Sequence, residues 1–111
     1  MKIHSQVHGS VTVLIAHGPL VGEETLDLRR AVNEVSDTAR RVVVDMAEVP
    51  YLDSGGIETL LELCDLNLSP HQRPKVANLT ETCVEALELT DVLPRLDAFD
   101  TVDSALRSFQ R

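Results

Sequence analysis

The sequence predicts an α/β fold: a mostly parallel mixed sheet of about five strands that opens with an N-terminal β-hairpin and is flanked by about four helices. Three observations predict it. Two strand-like runs, Ile3 to Val7 and Val11 to Ala16, flank His8-Gly9-Ser10, a short glycine-containing connection of the hairpin kind. Val42-Val43-Val44 places three β-branched residues in succession, which suits a strand covered on both faces. After the hairpin, strand-like and helix-like segments alternate, the pattern of a parallel sheet with helices packed on it.

Each element has its own signal. Gly18-Pro19 stops the second strand, and from Glu23 the apolar spacing becomes helical through Leu28, Ala31, Val32 and Val35, giving a helix to about Ser36. Glu23 and Glu24 favour its N-terminal turn electrostatically. The central strand covers Arg41 to Met46. A second helix is expected from about Ser54 to Asn67, with Asp53 and Ser54 as capping candidates and Ile57, Leu60, Leu61, Cys64 and Leu68 as its apolar stripe. Leu63 and Leu66 lie off that stripe, where contact with a neighbouring helix is expected ahead of an exposed docking patch. The prolines of Ser69 to Pro74 make a loop, and Lys75 to Asn78 a short strand. Asn78-x-x-Glu81 reads as a capping box for a third helix through Cys83, Val84 and Leu87, ending before Pro94. Leu96 to Phe99 is the last strand. Asp100-x-x-Asp103 then caps a terminal helix with Val102, Ala105, Leu106 and Phe109 on one face.

Composition narrows the function classes. The 111 residues suffice for a single core, and aromatics make up only 3%, so that core is built from aliphatic side chains. With 18 acidic against 10 basic residues the formal net charge is -8, which repels nucleic-acid phosphates and anionic lipid headgroups. No stretch approaches a membrane span and no secretory leader pattern opens the chain, so a cytoplasmic location without membrane insertion is expected. Cys64 and Cys83 fall in predicted helices without metal-ligand spacing and read as small buried hydrophobes.

The chemistry-bearing segment is Tyr51-Leu52-Asp53-Ser54-Gly55-Gly56-Ile57, a polar loop between the central strand and the second helix. In parallel sheets binding surfaces lie beyond the carboxyl ends of the strands, where this loop falls. Glu58, Glu62 and Asp65 share one sector of the following helix, either a solvated face or a patch for basic groups of a partner. A serine hydrolase needs a base beside Ser54, and of His4, His8, His17 and His71 only His17 falls near the loop. No Gly-x-Ser-x-Gly elbow surrounds Ser54, and Gly55-Gly56 lacks a P-loop lysine, so no enzyme activity, metal or nucleotide cofactor is expected.

These residues together resemble the STAS domain, the sulphate-transporter and anti-sigma-factor-antagonist domain, in its small stand-alone bacterial form, as one domain over residues 1–111. The resemblance rests on Val42-Val43-Val44-Asp45 to Leu52-Asp53-Ser54-Gly55-Gly56, on Gly18-Pro19-Leu20, and on Val84-Glu85-Ala86-Leu87-Glu88-Leu89-Thr90 leading to Phe99-Asp100-Thr101-Val102-Asp103-Ser104-Ala105-Leu106.

The resemblance implies a fold of this α/β kind and a binding module that engages an anti-sigma factor, often a serine kinase that itself holds the ATP, and so regulates sigma-factor-dependent transcription. The docking surface it implies is Asp53, Ser54, Gly55 and Gly56 with Glu58 and Glu62. In the family the second hydroxyl residue of the loop accepts a phosphoryl group. Here that position is Gly55, leaving Ser54 as a weak acceptor candidate that is expected to be occupied in capping. Val21 also stands where the family tends to carry an acidic residue. A lost or altered phosphoswitch is therefore expected. Two other roles use the same fold: an accessory subunit of a lipid-trafficking ABC transporter, and a scaffold component of a signalling assembly.

Overall fold

Backbone pairing turns the sequence pattern into a sheet with two unequal faces. The computed structural model describes residues 1–38, 41–64 and 73–110. Strands β1 (Lys2–His8) and β2 (Val11–His17) form the antiparallel hairpin, joined by a two-residue turn in which Gly9 takes φ +61°. Helix α1 (Glu24–Ser36) then crosses to β3 (Arg41–Glu48), which pairs parallel with β2. Helix α2 (Ser54–Cys64), β4 (Lys75–Ala77), α3 (Glu81–Leu89), a 3-10 turn (Leu93–Arg95), β5 (Ala98–Phe99) and α4 (Val102–Ser108) follow. The strands lie in the order β1-β2-β3-β4-β5, all parallel after the hairpin. The expected architecture is the observed one.

Period-two alternation divides β3 between two cores. Val42, Val44 and Met46 join Leu14, Leu20, Leu28, Leu60, Val76 and Leu87 under α1, α2 and α3. Val43 faces the other way, against Val11, Val13, Ala77 and Ala105 under α4 alone. All three valines are buried, as a strand covered on both faces requires. Helix α4 is fastened by cations as well as by packing. The Lys75 ammonium lies 4.1 Å from the Phe109 ring centroid, and Arg41 donates to the Phe109 carbonyl at 2.8 Å. Burial lowers the pKa of Lys75, against the opposing pull of Asp97.

Several boundaries differ from expectation for local reasons. Helix α3 is capped by Thr80, whose Oγ1 accepts from the Cys83 amide at 3.4 Å, and not by Asn78. Asn78 sits at φ 58° and donates its side-chain amide to Asp45 at 3.1 Å, so it is already committed. Thr101, extended at φ -137°, caps α4 through the Ser104 amide in place of Asp100. The last strand is only Ala98–Phe99, because the Leu96 amide closes the preceding turn on Leu93 and its side chain enters the core. Cys64 and Cys83 are free and buried, and burial pushes the Cys64 thiol up to about 12. Asp65, Leu66, Asn67, Leu68 and His71 lie outside the described residues. Among the described residues no helix is long and apolar enough to cross a membrane, and no group of three or more His, Cys, Asp or Glu is placed to hold a metal.

Candidate functional site

Two loops at the carboxyl edge of the sheet are tied into one unit. Beyond β2, the Gly18 amide donates to the Glu48 carbonyl at 3.0 Å and the Leu20 amide to the Tyr51 carbonyl at 3.1 Å. The Asp53 amide returns a bond to Leu20 at 3.3 Å, so residues 18–20 run beside 48–53 with Leu20 bridged to Leu52. Gly18 and Gly22 take φ +101° and +51°, the left-handed region that glycine enters without steric cost.

Asp53 closes the unit. Its Oδ1 accepts from the Gly56 amide at 2.8 Å, capping α2, while Oδ2 accepts from the Gly22 amide at 3.1 Å. These amide bonds, that of Gly56 foremost and Gly22 next, hold its carboxyl below the usual 3.8. The cap is therefore Asp53 alone, and the expected capping role of Ser54 is corrected. Ser54 is instead the exposed first residue of α2, with its hydroxyl outside the cap. Asp53 wins because it precedes the helix and its two oxygens reach two amides at once.

The paired glycines have different reasons. A Cβ on Gly56 would lie 2.3 Å from the Leu20 carbonyl oxygen and 2.9 Å from Leu52 Cβ, so only glycine lets the helix start approach the first loop. A Cβ on Gly55 would meet only Asp53 Oδ1, at 3.3 Å. A side chain at position 55 needs Asp53 Oδ1, the capping oxygen, to give by a few tenths of an ångström, whereas at position 56 backbone stands in the way.

Of the acidic helix face, Glu58 is exposed, whereas Glu62 is bound within the chain by an ion pair to Arg29 of α1. The same guanidinium donates to Thr59 Oγ1 at 3.2 Å. Glu62 thus serves the packing of α1 on α2 and is less available to a partner than Glu58. Arg29 went unnoticed in the sequence, since a pair joining residues 33 positions apart leaves no local pattern. Leu26, 53% exposed, was missed as well, and Tyr51, 50% exposed, was read as part of the loop segment but not as a docking residue. Tyr51 lies two residues before Asp53 and Leu26 in the first turn of α1, and exposed large apolar groups of this kind favour protein contact. The Nε2 of His17 is buried without a hydrogen-bond partner among the described residues, so it does not bond Ser54. His17 packs on His4, with ring centroids 4.9 Å apart.

The sequence model of the STAS domain matches residues 2–105. The chain belongs to the STAS domain family. Solved structures share the fold at low identity. An anti-sigma factor antagonist from Mycobacterium paratuberculosis superposes with a TM-score of 0.82 at 20% identity, over 99% of this chain and 94% of that one. A candidate anti-sigma factor antagonist from Thermotoga maritima gives 0.80 at 14% identity, over 98% and 95%. The phosphorylated form of the Bacillus cell fate determinant SpoIIAA gives 0.63 at 13% identity, over 97% and 99%. No curated protein matches the chain.

Proposed function

We propose that this STAS chain is a cytoplasmic anti-sigma factor antagonist: a binding module without catalytic activity of its own, docking through Asp53, Ser54, Gly55, Gly56 and Glu58, with Glu62 at the margin. One observation carries the reading. Asp53 holds two loops together so that Ser54 and Gly55 are presented at the start of α2, just after the exposed Tyr51 in the chain. The stand-alone architecture of the neighbouring antagonists supports it. The partner is an anti-sigma factor, in the kinase form the one that binds ATP.

The phosphoswitch of this chain is altered. Glycine at 55 offers no hydroxyl, and Ser54 stands about 100° away around the helix axis from the direction a residue at 55 would take. In-line transfer from a bound γ-phosphate requires the attacking oxygen at a fixed place, so a kinase built for position 55 meets no acceptor.

The test is reconstitution. The purified chain is titrated into preformed complexes of sigma factor with each anti-sigma factor of the source genome, and free sigma is read by transcription in vitro. Release from one complex supports the role. Intact complexes throughout, together with stoichiometric binding to a transporter ATPase, would assign the chain to transport instead.

A further inference from the structure

We propose that the outer edge of β1 is a homodimerisation edge, on which a second copy of this chain lays its own β1 antiparallel about a twofold axis at Ser5. Strand β1 ends the sheet and, among the described residues, pairs with β2 alone. It is seven residues long, and His4 through His8 are all exposed, Val7 to 66%. The opposite edge, β5, is two residues long and offers no comparable template.

The hairpin turn fixes which backbone groups face outward. A two-residue turn with Gly9 in its first place makes His8 and Val11 the pair that exchanges hydrogen bonds. Alternation then turns the N–H and C=O of Val7, Ser5 and Ile3 away from β2. Edge strands normally carry devices against such pairing: a proline, a bulge or a charge in the strand middle. This one has none of them. Its register with β2 is unbroken from Lys2 to His8, and its only charged residue is Lys2 at the end.

Electrostatics selects a second copy as the occupant. The chain carries a net charge of -8, yet its first acidic residue is Glu23, so residues 1–22 contain no carboxylate. Two copies repel across acidic surfaces and meet no carboxylate opposition between these strands. The strand is also self-complementary. With Ser5 opposite Ser5 of the other copy, Val7 lies opposite Ile3 and gains an apolar neighbour, while Gln6 lies opposite His4. The three outward residues of each strand exchange about six backbone hydrogen bonds. An edge-only contact buries less than the roughly 1,200 Å² of standard stable interfaces, so association is weak and concentration-dependent.

Sedimentation velocity of the intact chain from about 10 µM to about 1 mM tests this, spanning the range expected of a small interface. The mass should rise from 12.2 kDa towards twice that value. Ser5→Pro removes an outward N–H, a position where an edge strand accepts proline, and should weaken dimerisation at least tenfold with an unchanged circular dichroism spectrum. Val7→Lys, which leaves the backbone intact, should weaken it similarly and serves if Ser5→Pro does not fold. A chain monomeric at the highest concentration overturns the proposal. So does a dimer that Val7→Lys leaves untouched, which places the contact on another face.

Discussion

Replacing Gly56 by alanine should loosen the site more than its size suggests. An alanine Cβ would stand 2.3 Å from the Leu20 carbonyl oxygen and 2.9 Å from Leu52 Cβ, so the first turn of α2 must move outward by about 1 Å to reach ordinary contact. Neither neighbour yields easily, since Leu20 is fully buried and its carbonyl accepts the Asp53 amide at 3.3 Å. Overpacking of this kind costs about 1–3 kcal/mol. Alanine returns less than the full helix-propensity gain of about 1 kcal/mol, because position 56 is in the first turn. The net expectation is a loss of about 1–2 kcal/mol, or about 4–10 °C in Tm for a chain of this length. Gly55→Ala is the adjacent control. Its Cβ meets only one carboxylate oxygen, at 3.3 Å, a side-chain atom that must give by a few tenths of an ångström, so Tm should fall much less than for Gly56→Ala. Thermal and urea denaturation followed by far-UV circular dichroism reads both variants. Equal effects at the two positions, or a stabilised Gly56→Ala, would refute the close approach of loop and helix.

Three further predictions concern charge and the phosphoryl acceptor. Because its folded-state pKa is lowered, Asp53 contributes stability that is complete above the usual 3.8 and is lost as pH falls through the folded value. Asp53→Asn should therefore lower the urea midpoint at neutral pH, with the gap to the natural chain narrowing as the pH falls below 3.8; a gap that stays constant through acid would contradict the amide clamp. Glu62→Lys should cost about 0.2–1 kcal/mol by breaking the Arg29 pair, whereas Glu58→Lys should leave stability unchanged and weaken binding to the isolated partner tenfold or more by titration calorimetry. Unchanged partner affinity for a folded Glu58→Lys would remove this helix from the docking surface. Incubated with its cognate kinase and ATP, the natural chain should gain no mass while Gly55→Ser gains one phosphate; stoichiometric phosphate on Ser54 of the natural chain would show that the acceptor had shifted by one residue.

The layered fold was legible because its signals are local and repeated. Val42 to Val44 read as a doubly covered strand, the glycine turn at Gly9 as a hairpin, and the apolar spacing of each helix as one buried face. Caps were harder. Asn78 and Thr80 are both good capping residues, and the choice fell to Thr80 because Asp45, on another strand, claims the Asn78 amide. The site was legible as a loop but not as a machine. That Asp53 grips Gly22, and that Gly56 makes room for Leu20, depends on contacts across more than thirty residues of chain. Reading Glu62 as part of an acidic face was reasonable from the helix alone and incomplete once Arg29 was in place.

The Asp53 clamp has a thermodynamic consequence for recognition. Both halves of the surface, the segment through Gly22 and the start of α2, are locked to each other before any partner arrives. A partner has no segment to order on arrival, so little of its contact energy is spent on conformational entropy. Encounter then follows the long-range field of a strongly acidic chain, and a basic partner should associate faster at low salt than at high, without a slow ordering phase.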